Sequence, residues 1–204
     1  KLKSNQYAYQ QKRCTTDALL HIIHEWCSQL DDLATSHITA TLIDMSKAFD
    51  KMNPNTLIEK LRDLSINEGL ISLIDNFLTD RQCCVKLKEK SEYQEITMGA
   101  PQGTKLAPWL WLVYVNDLDP PCQLVKYADD LTMFASFNKT HNNSEFYQHA
   151  LDCIDKWATD NDMIINSKKS KVLHISLTKP KYTNEFTLGG EVIEICESSK
   201  LCNS

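Results

Sequence analysis

Leu124-Val125-Lys126-Tyr127-Ala128-Asp129-Asp130-Leu131-Thr132-Met133-Phe134 is the stretch that decides how this chain is read. Two short apolar runs, Leu124 to Tyr127 and Leu131 to Phe134, flank Ala128-Asp129-Asp130, the pattern of a β-hairpin with carboxylates at its tip. Two adjacent like charges repel unless a cation or solvent intervenes. Alone, the pair reads more readily as a solvated turn, where Asp is common. Asp44 adds weight, because it closes a separate β-branched run, His37 to Ile43, and a lone Asp at the end of a buried strand is costly without a partner. If the two elements are neighbours in one sheet, three carboxylates converge. Hard oxygen ligands of that kind suit Mg²⁺, which also takes substrate phosphates.

Around this hairpin the pattern is mixed. Residues 15–33 show an amphipathic helical stripe of Leu19, Ile22, Ile23, Trp26 and Leu30, with Thr15, Thr16 and Asp17 in position to cap it. Pro54 suits the first turn of a helix through Leu57, Ile58, Leu61 and Leu64, and Leu70 to Leu78 suits another. Strands are expected near Gln82–Lys88 and Glu92–Met98. The loop Gly99-Ala100-Pro101-Gln102-Gly103 then opens an apolar helix through Trp109, Leu112 and Val115. A helix over Glu145–Trp157 and strands near Val172–Ser176 and Glu185–Ile195 complete an α+β chain, an antiparallel sheet backed by helices.

Composition narrows the function classes. The chain has 204 residues, 42% hydrophobic and 24% charged, enough for a real core in one domain or two packed subdomains. No apolar run approaches the ~20 residues of a membrane helix. The start Lys1-Leu2-Lys3-Ser4-Asn5-Gln6 is no signal peptide. The eight cysteines form no C-x-x-C pair and read as reduced, so an intracellular protein, nuclear or cytoplasmic, is expected. His21 and His24 lack further ligands at zinc spacing. The formal charge of −5 argues against a simple basic nucleic-acid-binding module. It leaves room for a polymerase, whose clustered carboxylates are neutralised by cations in use. The missing initiator Met suggests an excerpt of a longer protein.

Five segments in one order resemble the reverse transcriptases of non-LTR (LINE-type) retrotransposons, especially the jockey-like group. They are Gln6-Tyr7-Ala8-Tyr9 to Ala18, Asp44-Met45-Ser46-Lys47-Ala48-Phe49-Asp50, Gly99 to Leu118, Tyr127-Ala128-Asp129-Asp130, and Asn166-Ser167-Lys168-Lys169. The resemblance implies a fingers-and-palm polymerase fold, with fingers at 1–36 and 52–100, palm at 37–51 and 101–204, and no thumb. It implies an RNA-directed DNA polymerase using an RNA template, a DNA primer, dNTPs and two Mg²⁺ ions, for which Mn²⁺ can substitute. Asp44 and Asp129 would ligate both metals with help from the Met45 carbonyl, and Asp130 would be secondary. Phe49 would lie under the incoming sugar and select deoxynucleotides. Gln102 and Gly103 would border the nucleotide, Arg13 would reach its triphosphate and Lys169 the leaving pyrophosphate. Phe186 to Leu201 resembles a primer-grip hairpin. Departures include Lys12 for a usual Gly, Cys14 for Ser, Ala107 for Gly, Trp111 for Phe, and Cys202-Asn203 for Leu-Gly. They leave two other outcomes: a reverse-transcriptase-like fragment that only binds RNA or protein, or an unrelated metal-dependent nuclease.

Overall fold

The computed structural model describes residues 1–140, 143–177 and 184–196. Its centre is strand β1, Thr35–Ile43, buried along almost its whole length. Such a strand has both faces covered. Ile38 and Ala40 join Val125, Phe134, Ala18 and Ile22 in one cluster. Ile43 and Met45 join Leu131, Met133 and Val172 in a second, larger cluster on the opposite face. Helix α1, Thr15–Leu30, covers the first face.

Helices α3 (Pro54–Asp63), α4 (Glu68–Leu78), α5 (Leu106–Tyr114) and α6 (Ser144–Asp160) supply the second cluster. A four-residue helix, α2 (Ala48–Lys51), precedes them and had no periodic signal long enough to read. Tyr147 of α6 is fully buried and satisfied: its hydroxyl meets Thr41 Oγ1 at 2.8 Å and lies 3.2 Å from the Met133 carbonyl.

Strands β4 (Gln123–Tyr127) and β5 (Asp130–Asn138) form the expected hairpin. With β6 (Lys171–Ile175) and β9 (Glu194–Cys196) they complete a five-stranded sheet of order β4-β5-β1-β6-β9. The sheet is mixed, not antiparallel throughout, because β9 runs parallel to β6. The cause lies in what reads as one strand over Glu185–Ile195. Gly189 and Gly190 both take positive φ, at 61° and 76°, and fold the chain into a hairpin of β7 (Thr187–Leu188) and β8 (Glu191–Val192) before β9 begins. The remainder of the segment that resembles a primer grip, 197–201, lies outside the described residues, as does Cys202-Asn203.

Elsewhere the differences are local. The strands expected over Gln82–Lys88 and Glu92–Met98 shrink to a ribbon of β2 (Arg81–Cys83) and β3 (Gln94–Ile96), whose outer ends are exposed and bury little to hold a longer pairing. Cys14, rather than Thr15 or Thr16, is the N-cap of α1, and Asp17 completes the cap by accepting the Cys14 N–H at 2.7 Å. No helix among the described residues is long and apolar enough to cross a membrane.

Two measurements check this packing. Gly99 has φ +77°, and a Cβ there would come within 2.8 Å of the backbone of Phe49 and Asp50. Gly99→Ala should cost more than about 2 kcal/mol in urea unfolding, through strain and overlap together. His37, buried against Phe137 at 4.7 Å, is held to a pKa of about 4 by desolvation and then by His174. An unfolded His takes up its proton near pH 6.5. Stability should therefore be full above that value and fall progressively as the pH drops from about 6.5 to about 4. His37→Leu should flatten that slope in a urea-midpoint series.

Candidate active site

Backbone register sets the site. Ile43 pairs with Leu131, and Tyr127 pairs with Asp130 across the two-residue turn Ala128-Asp129. Asp44 follows Ile43 directly, so it ends one strand spacing, about 4.8 Å, from the base of that turn. By strand alternation Asp44 and Asp130 share the sheet face that α1 covers further along. Asp44, Asp129 and Asp130 are all half-buried.

The Asp44 segment is fixed from its other side. Its N–H donates to Ser170 Oγ at 3.2 Å, its carbonyl accepts from Asn166 N at 2.8 Å, and Ser46 N–H donates to the Ile164 carbonyl at 2.8 Å. Met45 is thereby bridged to Ile165 as a non-hydrogen-bonded antiparallel pair. In that arrangement the Met45 carbonyl points away from Ile165, toward the side on which β5 lies. The Met45 carbonyl and the backbone positions of Asp44 and Asp129 then lie at the same end of the sheet, and carboxylate and carbonyl oxygens are the hard donors that Mg²⁺ takes. Among the described residues, no three Asp, Glu, His or Cys side chains group closely enough to hold a metal by themselves.

The hairpin turn is anchored from beneath. Ala128 takes φ +56°, uncommon for a residue with a Cβ, and its carbonyl accepts a buried 2.7 Å hydrogen bond from Trp111 Nε1. Phe49 lies against the same indole, centroids 5.1 Å apart. One strand residue away, the Lys126 side chain is wholly buried and donates to the Val115 and Leu118 carbonyls, both at 2.8 Å. Burial lowers its pKa to about 8, with Lys3 adding to the shift and Asp119 and Asp117 opposing it.

The remaining residues singled out from the sequence sit around this centre with differing commitments. Arg13 Nη1 donates to the carbonyls of Ser4 (2.6 Å) and Gln6 (2.7 Å), and its guanidinium lies over the Tyr7 ring at 4.7 Å. Gln6 in turn bridges Lys126 in β4, which ties the Arg13 loop to the hairpin. Gln102 Nε2 donates to Asp50 Oδ1 at 2.7 Å, and Gly103, at φ +79°, has open space where a Cβ would be. Lys169 is exposed on the turn whose Asn166 and Ser170 hold Asp44.

Three contributors escaped the sequence reading. Ser170 and Asn166 lace Asp44 in place, and Tyr9 lies within electrostatic reach of Asp129. The Tyr9 phenol is raised first by burial and then by the Asp129 charge. Tyr9 and Asn166 lie within segments that resemble the family, whereas Ser170 carried no signal. A cavity of about 490 Å³ lies elsewhere, between Asn53–Asn55, Leu78–Gln82 and Glu95–Met98, and its lining includes none of Asp44, Asp129 and Asp130.

Comparison with known proteins gives the family of the chain. The 115 kDa protein of the type-1 retrotransposable element R1DM of Drosophila melanogaster is 24% identical over 172 residues, 82% of this chain and 16% of that protein. The RNA-directed DNA polymerase from the Drosophila melanogaster mobile element jockey is 22% identical over 175 residues, 80% of this chain and 19% of that protein. The chain therefore spans less than a fifth of the length of either relative. Among solved structures, Candida tropicalis telomerase in complex with a TWJ fragment of telomeric RNA superposes with a TM-score of 0.65 at 15% identity, covering 97% of this chain and 35% of that one. That likeness concerns the fold. The profile described as reverse transcriptase (RNA-dependent DNA polymerase) matches residues 1–192, and the chain belongs to that family.

Proposed function

We propose that this domain extends a DNA primer on an RNA template, adding deoxynucleotides from dNTPs, with Asp44 and Asp129 as the metal-holding carboxylates. The observation that carries the proposal is the register that brings Asp44, directly after the end of β1, beside the Ala128-Asp129 turn. In this reading residues 1–36 and 52–100 serve as fingers, and 37–51 with 101–204 as palm.

Asp44, Asp129 and the Met45 carbonyl would hold two Mg²⁺ ions, with Mn²⁺ as a substitute. Bound there, the ions would lower the pKa of the primer 3′-hydroxyl and neutralise charge on the leaving oxygen. Asp130, paired with Tyr127 at the base of the turn, has a secondary role in holding the hairpin end. Phe49, supported by the Trp111 indole, would underlie the sugar and crowd a 2′-hydroxyl. Gln102 and Gly103 would border the nucleotide, where the absent side chain of Gly103 permits close backbone approach. Arg13 would offer its remaining N–H donors to the triphosphate, since a guanidinium matches phosphate oxygens. Lys169 would attract the departing pyrophosphate. The rate enhancement in this scheme comes from positioning and charge stabilisation.

Primer extension on an RNA template with Mg²⁺ or Mn²⁺ tests the reading. Asp129→Asn should lower the extension rate at least about a hundredfold, the scale of losing one preorganised electrostatic stabiliser. Extension at the wild-type rate by that variant removes the assignment. Template degradation without added nucleotides would point to a nuclease instead.

A further inference from the structure

We infer that Trp111 is a positioning residue that fixes the Asp129 peptide and the Phe49 ring relative to one another; the inference rests on the polymerase reading above. The Ala128 carbonyl belongs to the same planar peptide unit as the Asp129 N–H. Holding that carbonyl at 2.7 Å on the Trp111 indole N–H therefore fixes the plane from which Asp129 departs. The turn needs such a hold, because Ala128 sits at φ +56° with no glycine to relieve the strain.

The same indole has a second contact. Phe49 lies 5.1 Å from it, and Tyr114 stacks behind at 6.1 Å, so the ring is clamped within the core and is itself wholly buried. Phe49 follows Asp44 by five residues, and its own carbonyl accepts from Ala100 N at 3.0 Å. Trp111 is thus the point where the Asp44 segment, the loop ending in Gln102-Gly103 and the carboxylate hairpin are referred to one rigid plane. A phenyl ring at this position would lose the donor along with part of the apolar contact.

Trp111→Phe removes that donor, and Trp26→Phe, which loses the same ring volume and an N–H that bonds nothing among the described residues, is the control for the packing loss. Trp26 packs against Phe134 at 6.1 Å on the α1 side, and its buried Nε1 has no hydrogen-bond partner among the described residues. Two readouts are needed. In single-nucleotide extension, Trp111→Phe should reduce the preference for dNTP over rNTP about five- to tenfold, the scale of one lost buried hydrogen bond. That preference is a ratio, so a smaller folded fraction leaves it unchanged. In native-state amide exchange, residues 127–131 should exchange about tenfold faster while Thr39 to Leu42 of β1 stay protected. Trp26→Phe should alter neither. A Trp111→Phe protein with wild-type sugar preference and wild-type exchange at 127–131 overturns the inference. Exchange requires no turnover, so wild-type protein that extends no primer defeats the polymerase reading separately, while faster exchange in Trp111→Phe still supports Trp111 as the hold on the hairpin.

Discussion

The antiparallel register of β1 on β5, running from Thr35 opposite Asn138 to Ile43 opposite Leu131, is the constraint on which the remaining geometry depends. A shift of one residue would exchange the faces of every side chain in the strand. Ile38 and Ala40 would leave the α1 cluster, and Ile43 would leave the larger core. The same slip would carry Asp44 away from the Ala128-Asp129 turn. Core packing and the juxtaposition of carboxylates are thus enforced together, and neither can drift without the other.

Helix α5 makes that register rigid where it matters. It reaches the hairpin at two points, through the Trp111 N–H on the Ala128 carbonyl and through Lys126 on the carbonyls at the helix's C-terminal end. A lysine without a carboxylate in contact is an expensive occupant of a core. Here it caps the negative end of the helix dipole and satisfies carbonyls that have no partner within the helix. Lys60 does related work further out: its ammonium donates to the Tyr114 carbonyl and to Asp117, and lies 4.9 Å from both the Tyr114 and Trp157 rings. Two lysines therefore hold the α5 terminus, one against β4 and one within α3.

Much of this was legible in the sequence, for a physical reason. Hairpin, central strand and helices each have a local period, so Leu124 to Phe134, His37 to Ile43 and the stripe from Leu19 to Leu30 announce themselves. The direction of β9 is not local: it follows from a Gly189-Gly190 turn inside what reads as one strand. Cys14 as a helix cap was invisible because the capping signal is usually sought in Ser, Thr, Asn and Asp. The candidate site divides in the same way. Its carboxylates could be read from strand ends, and the resemblance supplied Arg13, Gln102 and Lys169. The bonds that hold those residues, from Ser170 to Asp44, from Asp50 to Gln102 and from Ser4 and Gln6 to Arg13, span distances in sequence that no pattern encodes.

The position of the 490 Å³ cavity bears on the kind of substrate this surface suits. Small-molecule sites are typically concave and mostly apolar. The carboxylates here instead stand half-buried at the end of a sheet, outside that cavity. A carboxylate pair on an open edge gains little by itself, because water screens it and like charges repel. It becomes effective when the substrate brings counter-ions and its own bulk to exclude solvent. A primer–template duplex with an incoming triphosphate has both properties. On the proposed reading the missing wall of the site is the nucleic acid itself.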